Sequence, residues 1–234
     1  MTLRSLLFIA VFSFLQMQAW TQNVKDAGLW TSASVSFDLG KGIDGSLSPE
    51  IRFDENISRV AGFFADAGVK IKLHKALDAS LEYRFGGRRN DNIYEQRHRF
   101  STGLSASHEI EKFRFKLTTR YQGAPAVGSG EGDVDLRTTW RNKLAVTYDA
   151  PKKFEITTAF EIFTGRWSEG LSDWRWQMNI EKALSKRKSV AVGYLIQKDL
   201  GDFDMDYVFL LSYSYTLRKK DKEKEPPILI TPSF

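Results

Sequence analysis

The chain has 234 residues, with 34 Lys and Arg against 29 Asp and Glu, a formal net charge of +5, and no cysteine. The lack of cysteine excludes disulfides and thiol chemistry. The positive charge is spread along the chain rather than blocked, so composition gives no support for a nucleic-acid partner.

The first predicted element is an export signal. Arg4 supplies a positive start, and Leu6 to Leu15 form an apolar stretch, which is shorter than the ~20 residues that a membrane-spanning helix needs. Ala19 and Thr21 precede Gln22 at the spacing of a cleavage site. The sequence therefore predicts a secretory signal peptide over residues 1–21, and the alternative is a buried N-terminal helix.

Beyond this segment, apolar and polar residues alternate in eleven stretches. In one of them, Leu81 and Phe85 share one parity, while Glu82 and Arg84 share the other. Successive side chains of a strand point to opposite faces, so each stretch has one apolar and one polar face. The stretches begin near residues 28, 46, 63, 77, 96, 113, 138, 154, 173, 189 and 206.

The length of these strands indicates a membrane setting. Many run to ~9–12 residues, longer than the ~5–6 of a soluble strand and matching a tilted membrane-crossing strand. The sequence predicts an all-β fold, an antiparallel up-and-down transmembrane β-barrel of 10–12 strands over residues 22–218, located in the cell outer membrane. A soluble sandwich or a lipocalin-like barrel is the alternative.

The number of strands depends on whether the C-terminal residues form a strand. Bacterial single-chain barrels use an even number of strands, whereas the alternation gives eleven. Residues 219–234 form a charged, Pro-containing tail that ends in ILITPSF. This alternating heptapeptide is a possible short twelfth strand.

The connections between strands differ in length and polarity. Short turns at 41–45, 74–77, 109–112, 149–153 and 182–188 alternate with longer polar stretches, including 54–62 and 86–96. Outer-membrane barrels keep short turns in the periplasm, long loops outside, and aromatic girdles at both interfaces. The predicted girdle residues are Tyr83, Tyr121, Trp140, Trp174, Trp176 and Tyr194 near the loops, and Tyr213 and Tyr215 near the turns.

Several stretches together resemble a known family. They are GLWTSASVSF (28–37), EIRFDENISRVAGFFADAGVKIKL (50–73), LEYRF (81–85), EQRHRFSTGLS (95–105), RNKLAVTYD (141–149) and FEITTAFEIF (154–163). Their order and spacing resemble the Domain of Unknown Function 2490 family, typical of Bacteroidetes outer-membrane proteins. The resemblance implies a barrel of unknown activity and brings no catalytic residues with it.

The polar faces carry many charges, and these are predicted to line the lumen because charges facing lipid would cost about 2–4 kcal/mol each at the bilayer midplane. The predicted lumen charge network consists of Glu50, Arg52, Glu82, Arg84, Glu95, Arg97, Arg99, Arg114, Arg120, Arg141, Glu155, Glu161, Arg175 and Glu181. Because Glu and Arg interleave at i, i+2, mutual pairing and a structural or surface barrel are favoured. The alternative is a narrow channel for small polar or anionic solutes.

A lipid hydrolase is a further hypothesis, since YEQRHRFSTGLSASHEI (94–110) brings His98 close to Ser101 in sequence. Their opposite parity places them on opposite faces of one strand, so they cannot form a nucleophile–base pair. We expect no enzyme activity, no cofactor, and no metal site built from the three histidines.

The acidic stretch at residues 199–206 lacks the order of an EF-hand loop. A loose calcium site there is the alternative to a solvated loop. The expected partners are the lipid bilayer and the barrel-assembly machinery during insertion, and no ligand can be named.

Overall fold

The computed structural model describes residues 27–91, 93–127, 134–165, 170–201 and 205–217. These residues form eleven strands: β1 (Ala27–Gly40), β2 (Ile43–Asp54), β3 (Arg59–His74), β4 (Leu77–Asn90), β5 (Ile93–Ile110), β6 (Phe113–Val127), β7 (Val134–Ala150), β8 (Phe154–Thr164), β9 (Leu171–Ala183), β10 (Lys188–Asp199) and β11 (Met205–Thr216). A single 3-10 turn, Pro151–Lys153, joins β7 to β8. Within the described ranges, no helix is long and apolar enough to cross a membrane.

The strands close into a barrel in which each pairs with the next along the chain and β1 pairs with β11. An up-and-down meander of eleven strands leaves the first and last running in the same direction. The closing pair is therefore parallel, with Ala27–Ser36 against Tyr207–Thr216, whereas the other pairs are antiparallel. The predicted all-β barrel of 10–12 strands is confirmed, with eleven strands among the described residues.

The alternation in sequence sets the two faces of the wall. On β4, Leu81 is 58% exposed on the outer face, while the neighbouring Arg84 is 4% exposed on the inner face. Tight turns connect the two strands of each hairpin at one end of the barrel. Lys41 and Gly42, between β1 and β2, both adopt positive φ, 55° and 76°, as the two-residue turns that match strand twist require.

The predicted loop at 86–96 is much shorter in the structure. Most of this polar stretch continues the ladder between β4 and β5, which reaches Asn90 and Ile93. The polar residues of this stretch indicated a loop, because they form no apolar face. Hydrogen bonding between the strand backbones does not require an apolar face. Gly86 is required here, because a Cβ would lie 2.1 Å from the Phe63 carbonyl oxygen and 2.7 Å from the Phe64 ring.

The remaining boundary predictions lie outside the described residues. These are the signal peptide over 1–21 and the tail over 219–234.

Candidate functional site in the barrel lumen

The barrel has two ends. We call the end with the turns at 41–42, 75–76, 111–112, 151–153 and 184–187 the turn end, and the opposite end the loop end. The lumen is the space that the inner faces of the eleven strands enclose. Its lining changes between the two ends.

Toward the loop end, inward side chains from every strand are packed together, and we call this set the packed layer. Its buried members are Glu50, Asp66, Arg84, Ser101, Gln122, Arg141, Glu161, Phe163, Asp173, Arg175, Gln177, Leu195, Val208 and Leu210. The half-buried Trp30, Arg52 and Phe64 pack against them. A lumen-facing side chain is buried only when other lumen residues cover it, so the barrel is filled at this level.

Arg84 is the centre of the packed layer on the β2–β4 side. Its Nε and Nη2 donate to both oxygens of Asp66 at 2.6 and 2.7 Å. Its Nη2 also donates to Glu50 Oε2 at 3.3 Å, and Glu50 accepts a further hydrogen bond from Arg52. Two carboxylates thus neutralise a buried guanidinium group, as burial of a charge demands.

A second cluster lies on the β7–β9 side. Arg141 donates from Nε and Nη2 to the two oxygens of Glu161, both at 2.9 Å. Arg175 lies 3.8 Å from the same carboxylate and donates to Gln197 at 2.6 and 3.1 Å. Arg141 and Arg175 also stack over the Phe163 ring, at 4.7 and 5.2 Å from its centroid.

Trp30 links the two clusters across β10 and β11. The Arg52 guanidinium lies 3.7 Å and that of Arg175 lies 5.5 Å from the Trp30 ring centroid. Desolvated cation–π contacts of this kind contribute up to about 2 kcal/mol each. The ring also packs against the buried cluster of Leu195, Val208 and Leu210. Aromatic and aliphatic side chains therefore complete the packed layer where carboxylates are lacking.

Toward the turn end, the lumen wall consists mainly of small residues, and we call this part the vestibule. Its lining includes Ser32, Ser36, Ser46, Ser48, Gly68, Ser80, Ser105, Ser107, Thr118, Ala145, Thr147, Thr157, Ala191, Gly193, Ser212 and Ser214, all of them partly exposed. Cross-strand hydroxyl pairs occur, such as Ser105–Thr118 at 3.0 Å and Thr147–Thr157 at 2.9 Å. Since these side chains face inward, their exposed surface faces the lumen, although the Ser32 and Ser48 hydroxyls are covered and Ser34 and Ala159 beside them are buried. Much of the vestibule wall is therefore accessible to water.

Four cations lie on the wall formed by β5, β6 and β7, and we call them the cation patch: Arg99, Lys116, Arg120 and Lys143. The Arg99 Nη2 and the Arg120 Nη1 face one and the same oxygen, Glu82 Oε1, at 3.8 and 3.5 Å. The Nε and Nη2 of Arg99 are buried without a hydrogen-bond partner in the described part of the chain. Among described residues, no carboxylate lies within 4.0 Å of either lysine nitrogen.

The other members of the predicted charge network lie closer to the ends of the barrel. Arg114 donates to Glu155 at 2.8 Å, and Glu181 lies directly opposite Glu155 on the next strand. Arg97 pairs with Glu95 at 2.5 Å near the tip of the β4–β5 hairpin, where both side chains are exposed. There, a hydrogen bond from Asn90 and the charge of Arg97 lower the pKa of Glu95. All fourteen predicted residues face inward, but only some contact one another.

The predicted girdle residues all lie on the outer face. They form aromatic contacts, with Tyr121 and Trp140 at 5.0 Å, Phe160 and Trp174 at 6.0 Å, and Tyr194 and Tyr207 at 6.3 Å between ring centroids. Trp176 donates from Nε1 to Thr158 at 3.1 Å. Such outward rings suit an interface between apolar and aqueous surroundings.

The residues of the hydrolase hypothesis are separated in the structure. His98 faces outward, with its Nδ1 2.8 Å from the Tyr83 hydroxyl. Ser101 faces inward and accepts a hydrogen bond from Gln122 at 3.2 Å. This pair therefore cannot act as nucleophile and base.

The calcium hypothesis concerns residues 199–206, of which 202–204 lie outside the described residues. Asp199 accepts a hydrogen bond from the Gly201 backbone at 2.8 Å. Across the described ranges, no group of three or more His, Asp or Glu side chains is placed to hold a metal ion.

A comparison with known families covers most of the barrel sequence. Residues 27–202 match the family described as Protein of unknown function (DUF2490). The chain belongs to the DUF2490 family. No curated protein sequence matches this DUF2490 chain.

Solved structures provide a fold comparison for the DUF2490 barrel. The NanC porin superposes with a TM-score of 0.54 at 13% identity, over 82% of this chain and 99% of that one. An anion-selective porin from Comamonas acidovorans gives a TM-score of 0.38 at 12% identity, covering 75% and 53% of the two chains. OccK11 (OpdR) from Pseudomonas aeruginosa gives 0.36 at 12% identity, covering 72% and 55%. The likeness to NanC shows a shared barrel fold.

Proposed function

We propose that this DUF2490 protein is an outer-membrane barrel that acts as a narrow conduit for small polar solutes, with the packed layer as its closed gate. The observation that carries the proposal is the division of the lumen. The small inward side chains leave the lumen open to water from the turn end up to the packed layer, which is the arrangement that a conduit closed at one level requires. The proposal assigns no catalytic role to the chain.

The outer face supports a membrane location. Large apolar side chains are exposed around the whole wall, among them Leu47, Leu81, Phe100, Leu117, Leu144, Phe160, Val192 and Phe209. A soluble protein rarely exposes a continuous apolar surface of this extent, whereas a bilayer covers it. Export by the predicted signal peptide would place the barrel in the outer membrane, with lipids around it and a barrel-assembly machinery for its insertion.

The membrane location can be tested by single cysteine substitutions, because the chain has no native cysteine. A fluorophore attached to Leu81→Cys, on the outer face, is expected to be quenched by lipids with brominated acyl chains. The same fluorophore on Ser80→Cys faces the lumen and serves as the matched control. Equal quenching at the two positions would contradict a lipid-facing outer wall.

The conduit is tested by planar-bilayer recordings of the wild-type barrel. We expect small, discrete conductance steps that are rare because the packed layer closes the lumen. A preparation that is folded, inserted and permanently silent would contradict the conduit. It would instead favour the second candidate, a structural or surface barrel, which the paired charges of the packed layer also support.

A further inference from the structure

We propose that the cation patch is a binding site for small solutes that carry a carboxylate or phosphate group and enter through the vestibule. The proposal deepens the conduit function, on which it rests, by naming the class of solute. It depends on the charge balance of the lumen wall and on the hydrogen-bonding state of Arg99.

The first support is an imbalance of charge on one wall. Other buried arginines have their own carboxylates: Arg84 has Asp66 and Glu50, and Arg141 has Glu161. Near the turn end, Lys70 lies 3.7 Å from Asp78. In contrast, Glu82 is the one carboxylate of the described residues that lies within 4.0 Å of the cation patch. Positive charge is therefore concentrated at the β5–β7 wall.

The strand register keeps these like charges close together. Arg84 lies directly opposite Arg99, and Arg120 lies directly opposite Arg141. On β6, Lys143 is opposite Thr118, so its diagonal neighbours on the inner face are Lys116 and Arg120. On β8 it is opposite Glu161, a carboxylate whose two oxygens already accept hydrogen bonds from Arg141. Like charges at directly opposite positions destabilise a sheet. A fold that retains two such pairs gains something other than stability from them, and attraction of an anion is the chemical use they fit.

The second support is the free edge of the Arg99 guanidinium. Nε and Nη2 form one edge of the planar group, and this edge matches the two oxygens of a carboxylate or phosphate. Arg84 uses the same edge to bind Asp66, and Arg141 uses it to bind Glu161. In Arg99 both atoms lack a hydrogen-bond partner among the described residues. Three arginines thus present the same donor pair, and one of them has no acceptor within the described protein.

The patch faces the lumen. Arg99 and Arg120 keep 23% and 18% of their side-chain surfaces exposed, whereas the Nε and Nη2 atoms of Arg99 are themselves covered. Between the two arginines the wall carries the small, buried residues Ser101 and Gly103. The Ser105–Thr118 hydroxyl pair lies next along the wall and offers a further donor. Across the lumen, β10, β11 and β1 present uncharged residues, which are small in the vestibule and include Trp30, Leu195, Val208 and Leu210 in the packed layer. The field therefore points toward the patch, and a narrow low-dielectric lumen strengthens such a field.

The test is isothermal titration calorimetry of the folded full-length barrel in detergent micelles at low ionic strength. The probes are inorganic phosphate, succinate and, as a neutral control, glucose. We expect both anions to bind and glucose not to bind. Arg99→Gln should weaken anion binding at least about tenfold, as expected for loss of charge-assisted hydrogen bonds.

Arg97→Gln is the matched control, because it removes the same charge from the same face of β5. Arg97 is 50% exposed and already paired with Glu95, so its loss should change the affinity by less than about twofold. Glu82→Gln should tighten binding severalfold, because it removes the carboxylate that competes for Arg99 and Arg120. A merely structural role of Arg99 would not produce that gain.

Two results would overturn the site: wild-type protein that binds neither anion, or an Arg99→Gln barrel that binds them as tightly as the wild type. These outcomes are separate from failure of the conduit. Anion binding without conductance would remove the conduit and leave the site. Conductance without anion binding would remove the site and leave the conduit.

Discussion

Replacing Arg84 by alanine is expected to lower the free energy of unfolding by about 3–5 kcal/mol, the usual cost of breaking a buried ion pair by removing one partner. Arg84 is 4% exposed and holds two carboxylates, Asp66 and Glu50, which are 8% and 2% exposed. Without the guanidinium group, Asp66 loses its bidentate partner. Among the described residues, Glu50 keeps only Arg52 as a cation within ion-pairing distance.

The measurement is reversible urea unfolding of the barrel in lipid vesicles, followed by tryptophan fluorescence. Arg97→Ala is the control, because it deletes the same side chain from an exposed pair at the loop end and should cost less than about 1 kcal/mol. A double variant, Arg84→Met with Asp66→Asn, should recover part of the loss, since it removes a buried charge together with its partner. If Arg84→Ala unfolded like Arg97→Ala, the packed layer would not be a stabilising network.

Where apolar and polar residues alternate, the sequence was sufficient to predict which face a side chain occupies. His98 and Ser101 lie on opposite sides of the wall, and Arg99 and Glu82 lie inside. This works because the side-chain period of a strand is two, whatever the neighbouring strands do. The same pattern bounded the number of strands at 10–12, but it did not predict how the barrel closes. A meander with an odd number of strands closes through a parallel pair, which here is β1 with β11. The even strand number usual in bacterial barrels argued against such a closure.

Partners across strands could not be predicted in the same way. Interleaved Glu and Arg indicated pairing along one strand, which the structure shows for Glu50–Arg52 and Glu95–Arg97. Arg84, however, binds Asp66 and Glu50, which are 18 and 34 residues earlier in the chain. Such contacts depend on the stagger between neighbouring strands, and alternation within one strand carries no information about stagger.

The apolar part of the packed layer was missed for a different reason. Residues 208–211 read Val-Phe-Leu-Leu, so both faces of β11 are apolar there and the period of two disappears. Val208 and Leu210 face inward, where Leu195 on β10 and Trp30 on β1 meet them. Phe64 lies in a similar run beside Phe63. For Trp30 the sequence did contain a signal of its inward position. Trp30 has the same parity as the serines that line the rest of β1.

Trp30 also provides the sharpest test of the gate, because its ring spans the gap between the two arginine clusters. In Trp30→Ala, Arg52 and Arg175 lose the surface on which both stack, and Leu195 and Leu210 lose their cover toward the lumen. The packed layer should then open beside β1 and connect the vestibule to the loop end. We expect single-channel conductance to rise severalfold over the wild type.

Trp174→Ala separates gating from a general loss of packing. Trp174 is also half-buried, and it stacks on Phe160 at 6.0 Å, but on the outer face. Its truncation removes the same side chain and a comparable aromatic contact, so both variants should lose stability, whereas only Trp30→Ala should gain conductance. Equal conductance in the two folded variants would mean that removing Trp30 does not open the packed layer. The ion pairs of that layer would then be support for the wall, and the barrel would be a structural element of the membrane rather than a conduit.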